Sequence, residues 1–300
     1  MKLDAICFGA LNMDKLYRVN KIAGEDEESY ITDFKEAPGG SAANTAMGLA
    51  RLGLKTGFIG KVSDDREGQL LIEDFEREGV NTNGIAVLRE SRSGVVIGFV
   101  DKEGERALYV DPGVNDSLQF EEINLKYAQN TEFLHLTSFV GENPFRAQKN
   151  LIKALPNVRV SFDPGELYAR KGLISLLPII KRSTVLFLNR NEMKLLTGEG
   201  YEKGSKLLLK KGVSITAVKL GKKGCYVTDG KESHLVEPYE VKVVDTTGAG
   251  DAFCAGFLYG LIRGKDLHEC AKLGNFVASR CITKIGARAG LPTLQELKQL

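Results

Sequence analysis

The chain predicts an α/β fold of three layers, a Rossmann-like parallel sheet with helices on both faces, and three observations carry that prediction. Short apolar, β-branched runs alternate with longer stretches of helical period along the 300 residues. The hydrophobic content of 43% suffices for a sizeable core. Two period-2 stretches interrupt the alternation, and they predict a small second sheet.

Strands are expected at Ala5–Gly9, Thr56–Gly60, Glu132–Leu136, Val158–Asp163, Thr184–Leu188 and Ile215–Leu220. The helices between them include Glu67–Glu78, Phe145–Ala154 and Tyr201–Lys211. From Lys15 to Lys35 there is no helical period, and Ser93–Val110 reads as a hairpin turning at Asp101–Gly104. The expected organisation is one domain over residues 1–300 with a β lid from about 15–35 and 93–110.

Charge and composition narrow the function. A net charge of +2 with interspersed signs predicts no nucleic-acid partner. No apolar run reaches membrane-spanning length. The opening Met1-Lys2-Leu3-Asp4 puts an acid where a secretory leader is apolar. Five scattered cysteines, Cys7, Cys225, Cys254, Cys270 and Cys281, read as small core residues in a reducing compartment, so a cytoplasmic location is expected. His135, His234 and His268 are too dispersed for a metal site. No P-loop pattern occurs, and Gly9-Ala10-Leu11-Asn12 lacks the dinucleotide-binding fingerprint of an oxidoreductase.

The most informative stretch runs from Asp245 to Phe253, Asp-Thr-Thr-Gly-Ala-Gly-Asp-Ala-Phe. Val241–Val244 reads as a strand leading in, and Phe253, Gly256, Phe257, Leu258 and Leu261 as a helix leading out. Gly248 and Gly250, flanking Ala249, let the backbone come close to a ligand. Free amides at a helix start suit an anionic oxygen, above all a phosphate. Asp251 would repel that anion unless it takes a proton from a nucleophile. The plainer reading is a tight strand-to-helix turn with Asp251 as a dipole partner.

A second glycine site, Pro38-Gly39-Gly40-Ser41-Ala42-Ala43-Asn44-Thr45, opens a helix continuing through Met47, Leu49 and Leu52. Here the plainer reading is a turn with Ser41 as N-cap. Asn12 and Asp14 alternate at the end of the first strand, where α/β sheets place ligands. With Asn44 they offer the acceptors and the amide that a diol requires.

These residues resemble the ribokinase (PfkB) family of carbohydrate and nucleoside kinases, in an archaeal-like form, over essentially the whole chain. Gly39 to Asn44 resembles the first family signature and Asp245 to Phe253 the second. Asn189-Arg190-Asn191-Glu192 is similar to the N-x-x-E element, Lys219-Leu220-Gly221 with Gly224 to the nucleotide-binding turn, and Gly286 to Pro292 to the C-terminal loop. The resemblance implies a ribokinase-like fold with the lid over the sugar, and a homodimer through that lid in some members. It implies transfer of a nucleotide's terminal phosphoryl to the hydroxymethyl group of a sugar, with ATP the default donor and ADP the alternative. Asp251 would be the base, and Gly248, Ala249 and Gly250 the anion hole. Asn12, Asp14, Gly39, Gly40 and Asn44 would bind the acceptor, and Asn189, Lys219, Gly221, Gly224 and Asn275 the nucleotide. Glu192, with Asn189, would hold Mg²⁺ through water, and backbone near Asp245, Thr247, Ala287 and Gly290 would hold K⁺.

The acceptor stays open at this level. Ribose or a nucleoside is favoured; ribose 1-phosphate or another sugar phosphate, fructose and 2-keto-3-deoxygluconate are the alternatives. A sugar phosphate needs basic groups, which Arg92, Arg106 and Lys15 could supply, but Gly24-Glu25-Asp26-Glu27-Glu28 is acidic. Tyr17, Tyr30, Phe99 and Tyr109 offer aromatic rings to a base. A silent sugar-binding regulator should have lost Asp251 or its glycines, which are present.

Overall fold

The computed structural model describes residues 2–299. Its strands are β1 Leu3–Phe8, β2 Asn12–Val19, β3 Ile31–Gly39, β4 Thr56–Ser63, β5 Asn81–Leu88, β6 Gly94–Val100 and β7 Arg106–Asp111. There follow β8 Thr131–Thr137, β9 Arg159–Asp163, β10 Ser183–Asn189, β11 Ile215–Lys219, β12 Cys225–Thr228 and β13 Ser233–Val236. Nine of them form one sheet in the order β13-β12-β11-β10-β9-β8-β1-β4-β5. All its pairings are parallel except β11–β12 and β12–β13.

Alternation along the strands builds the three layers. Ala5, Cys7, Phe133, Val185 and Phe187 pack on one face against the helices Ser41–Arg51 (α1), Ala249–Ile262 and Leu267–Cys281. Ile6, Phe8, Leu134, Leu136, Leu186 and Leu188 pack on the other against residues of Glu142–Ala154, Gly172–Ile180 and Arg190–Thr197. The five cysteines are all buried and free, as expected. Strand order reverses between β1 and β8, so the carboxyl ends of β1, β8, β9, β10 and β11 open on a ligand-binding crevice.

The smaller sheet has the order β3-β2-β6-β7, with β2 and β6 parallel and two antiparallel hairpin pairings. The β6–β7 hairpin turns at the expected place: Gly104 has φ 84° and the Asp101 carboxylate accepts from Glu103 N and Glu105 N. Three expectations need correction. Asn12 and Asp14 begin the lid strand β2 instead of ending β1, because the Asn115 amide clips Leu11 N (3.0 Å) and Leu11 O (2.8 Å) and breaks the run. Val241–Val244 forms no strand; Val243 and Val244 are exposed and Val244 N donates to Ile282 O at the end of a helix. Ser41 is the first residue of α1, not its cap. Gly40 holds the cap position at φ 99°, where a Cβ would lie 2.3 Å from Ala10 O.

Candidate active site

Two cavities meet at Asp251. One, of about 340 Å³, is lined by Asn12, Asp14, Asn44, Asn115, Asp116 and Gly248 among others. The other, of about 330 Å³, is lined by Asp163, Asn189, Glu192, Lys219 and Gly250 among others. Asp251 stands in the first turn of the Ala249–Ile262 helix, and Gly248 caps that helix in the left-handed region, φ 75°. A Cβ at Gly248 would lie 2.5 Å from the Ala287 Cβ, so glycine is required there on two counts. The Ala249 N–H closes the turn onto Thr246 O at 3.2 Å, so in this state that amide is already engaged. The Asp251 carboxylate accepts from Asn44 Nδ2 at 2.8 Å. Burial pushes its pKa up to about 7; the Asn44 hydrogen bond opposes this, Asp163 adds to it, and Lys219 and Arg288 oppose it.

On the lid side, a Cβ at Gly39 would lie 2.3 Å from Asp14 Oδ2, so the glycine leaves room for Asp14 to turn into the cavity. Burial pushes Asp14 up to about 6, against the pull of Arg288. Asn12 Oδ1 accepts from Asn115 Nδ2 at 3.0 Å. Asp116 takes the Gly141 amide on Oδ1 at 2.7 Å, and burial raises its pKa. Among the described residues no lysine or arginine lines this cavity.

On the other side, the Lys219 ammonium pairs with Asp163 at 2.5 Å and lies 3.3 Å from where a Cβ of Gly250 would be, under the glycine turn. Burial works against its charge, but Asp163 and the acids around it hold its pKa above the usual lysine value. Glu192 and Asn189 form a reciprocal cap, with Asn189 N donating to Oε2 at 2.8 Å and Asn189 Nδ2 to Oε1 at 2.7 Å. Burial and then Asp163 push Glu192 above the usual carboxylate range. Among the described residues no cluster of three acids, histidines or cysteines could hold a metal ion directly, so Glu192 could reach a hydrated Mg²⁺ only through water.

Gly221, Gly224 and Asn275 lie outside both cavities. Gly221 and Gly224, at φ 62° and 75°, bound a short turn, and a Cβ at Gly224 would strike Val236 O. Asn275 Nδ2 donates to Val236 O (3.0 Å) and Glu237 O (2.9 Å), so its amide anchors the neighbouring chain. The carbonyls of Thr247 and Ala287 converge on the Cys281 thiol at 3.6 and 3.3 Å. Asp245 closes the same loop, accepting from Thr247 N at 2.9 Å and Gly286 N at 2.8 Å. Gly290 packs against the carbonyls of Arg280 and Cys281. Converging carbonyls are the donor set a monovalent cation takes.

The basic lid residues divide. Arg92 is 79% exposed and pairs with Asp111 at 3.2 Å, and Lys15 pairs with Glu67 at 2.7 Å; neither lines the Asp14 cavity. Arg106 lines an adjoining space beneath the lid with Asp245, and Asp14, Val96 and Thr247 border both that space and the cavity. Tyr17, Phe34, Phe99 and Tyr109 stack on one another on the lid face opposite Asp14, Val96 and Val110, so they offer no ring to a base in that cavity. Asp163, Asp116 and Asn115 lie outside the motifs, and Arg288 lies within the Gly286–Pro292 loop but carries no expectation of its own. Asp163 ends a parallel strand beside the switch point, and that position was the available signal.

A carboxylate between a polar cavity and a glycine turn underlain by a lysine is an arrangement suited to phosphoryl transfer to a hydroxyl. The chain matches the pfkB family carbohydrate kinase model over residues 2–294, and it belongs to that family. It is 48% identical over 249 residues, 82% of this chain and 98% of the other, to a protein of Archaeoglobus fulgidus named an uncharacterized sugar kinase. It is 33% identical to an ATP-dependent ribose-1-phosphate kinase of Halopiger xanaduensis, over 94% of this chain and 92% of that one. Its fold superposes on the crystal structure of a ribokinase from Thermotoga maritima with a TM-score of 0.89, at 29% identity, covering 99% and 98% of the two chains. The protein is thus a sugar kinase with a ribokinase-like fold, and it transfers a phosphoryl group to a sugar.

Proposed function

We propose that the acceptor is an uncharged ribose-containing polyol, ribose or a ribonucleoside, phosphorylated on its hydroxymethyl group with ATP as the donor. The observation that carries this is the charge of the acceptor cavity. Asp14, Asp116 and Asp251 line it without a lysine or arginine, so a phosphate or carboxylate on the acceptor would meet three carboxyls. Hydroxyls instead find acceptors at Asp14 and Asp116 and a donor at the Asn44 amide. Asn12, Gly39 and Gly40 shape that wall, and Asp251 takes the proton of the attacking hydroxyl.

Across Asp251, the amides of Gly248 and Gly250, with Ala249 once its turn loosens, receive the transferring phosphoryl. Lys219 adds a fixed positive charge beneath them. Asn189 and Glu192 would hold Mg²⁺ through water, and the ion when bound neutralises charge on the donor phosphates. Thr247 and Ala287, with Asp245 and Gly290 shaping the loop, would hold K⁺ against the same helix start. The turn at Gly221 and Gly224, steadied by Asn275, borders the nucleotide. The exposed aromatic residues on the outer face of the lid, Phe34 and Tyr109, support a homodimer through that sheet.

A second reading, a sugar-phosphate acceptor, is favoured by Arg106 beneath the lid and by the named activity of the Halopiger relative. The test is initial rates with ribose, ribonucleosides, ribose 1-phosphate, fructose and 2-keto-3-deoxygluconate, each with ATP and with ADP. Highest kcat/KM on a neutral ribose compound is expected, and highest kcat/KM on ribose 1-phosphate would replace this reading with the second. Asp251→Asn should lower kcat by ~10²–10⁴-fold while nucleotide still binds. Near-normal turnover in that variant would remove Asp251 as the base.

A further inference from the structure

One buried cation outside both cavities touches everything that aligns them. The Arg288 side chain is 11% exposed, and its guanidinium donates to three different elements. Nε donates to Asn44 Oδ1 on α1 at 2.8 Å, and Nη1 to Asp74 Oδ2 at 2.5 Å on the Arg66–Arg77 helix (α2). Nη2 donates to Gly39 O at the end of β3, at 3.1 Å. The Arg288 carbonyl is held in turn by Arg51 Nη1 at 2.6 Å, and Arg51 is forked onto Glu78.

The chemistry of Asn44 turns this hub into a statement about the base. An amide carries a donor end and an acceptor end, and a guanidinium can only donate. With Arg288 Nε on one side, the Asn44 oxygen must face it, and the Asn44 NH₂ must face Asp251, which it meets at 2.8 Å. The flipped amide would set oxygen against carboxylate on one side and NH₂ against a guanidinium on the other. Only a planar fork with several directed donors can hold Asn44, Asp74 and Gly39 at once.

We infer that Arg288 is a positioning residue for phosphoryl transfer: through the Asn44 amide it aims Asp251 at the acceptor hydroxyl, and through Gly39 it ties the acceptor turn to the same frame. Asp74 anchors the guanidinium from behind. This rests on Asp251 being the base. Because Arg288 reaches the reaction through Asn44, through Gly39 and through its charge on Asp251 and Asp14, all on the acceptor side, its loss should affect kcat and acceptor KM, and spare nucleotide binding measured without acceptor.

The experiment is a double-mutant cycle on the full chain, with kcat, acceptor KM, nucleotide affinity and thermal midpoint read for each variant. Arg288→Lys keeps the charge and loses the fork. It should lower kcat by about 10–100-fold with nucleotide affinity unchanged. In the Asp251→Asn background the same change should cost less than about threefold, because the base it aims is gone. Loss that multiplies in full in that background would overturn the inference, as would Arg288→Lys with kcat within about threefold of wild type. If Arg288 variants do not fold, Asp74→Asn is read instead, and it must lower kcat in the same direction for the inference to stand. An active Asp251→Asn would instead remove the base assignment itself, a separate failure visible in that variant alone.

Discussion

Asp251 holds its proton to a pH at which an ordinary aspartate has long lost it. Burial is the largest cause, and the nearby Asp163 carboxylate reinforces it; Asn44, Lys219 and Arg288 pull the other way and leave the pKa at about 7. The groups that face it therefore come from α1, β9, β11 and the C-terminal loop, and Cys254 from its own helix lies 3.3 Å from Asp163. The sign follows from the role: a general base works only when deprotonated. The acid limb of kcat/KM, which reports the free enzyme, should be centred near pH 7, with activity rising through it and levelling above. Asp14, at about 6 and also needed as the anion to accept hydroxyls, should make that limb steeper than a single ionisation. Rates measured from about pH 5 to about pH 9 check this, and a limb centred near the ordinary aspartate value would contradict it. Asp251 and Glu192 were legible in the sequence because each sits within a glycine or N-x-x-E pattern, and Asp14 because it alternates with Asn12 beyond the first apolar run. Arg288 was not, since the Asn44 that gives it meaning lies 244 positions away.

At the scale of elements, the long strands and helices were legible because period alone identifies them, and the contacts between them were not. The helix Ala249–Ile262 carries Asp251 at its start, and Leu267–Cys281 packs along it through glycines. A Cβ at Gly256 would lie 2.4 Å from Leu273 O, one at Gly260 3.0 Å from Cys270 Cα, and one at Gly274 2.7 Å from the Phe253 ring. Across the other flank, a Cβ at Gly48 on α1 would meet the Ala255 Cβ at 2.7 Å. Read in sequence, these glycines look like weak points in helices; in the fold they set the helix separation and so the height of the glycine turn against β11. Gly256→Val should therefore do more than lose helix propensity. Overpacking of this kind costs ~1–3 kcal/mol, so a fall of several degrees in the thermal midpoint is expected, with reduced kcat from the displaced helix start. An unchanged midpoint would show that the two helices can separate without strain. The same absence of long-range information explains the misplacement of Asn12 and Asp14. The Asn115 clip, some hundred residues on, holds Leu11 in the break between β1 and β2.

Over the whole molecule the charges nearly cancel, with 41 Lys and Arg against 39 Asp and Glu, yet they are not spread evenly. The cavity of Asp14 and Asp116 is acidic, the cavity of Asn189 and Glu192 holds Lys219 under the glycine turn, and Arg92 and Arg106 line neither, though Arg106 borders an adjoining space with Asp14. Composition alone could not reveal this, because it depends on which strand end each acid occupies. The distribution leads to a test that needs no mutation. Recognition of a neutral polyol by hydrogen bonds is insensitive to ionic strength, whereas capture of a phosphate by a partly exposed arginine weakens as salt screens it. Acceptor KM should stay flat within about twofold between roughly 0.05 and 0.5 M KCl, where the Debye length falls from above 10 Å to a few ångströms. KCl must be exchanged against a matched series in NaCl, because a cation effect at the K⁺ site proposed for the loop of Thr247 and Ala287 would act on kcat and be misread as screening. Arg106→Ala should then change kcat/KM by only a few fold, since the carboxylate on which its charge acts is Asp245. Arg92→Ala serves as the outward control, its guanidinium being 79% exposed on Asp111. A KM that climbs steeply with salt in both series, together with loss of activity in Arg106→Ala alone, would mean that a phosphate on the acceptor reaches across the lid space to Arg106. The acidic cavity would then hold only the sugar's hydroxyl end.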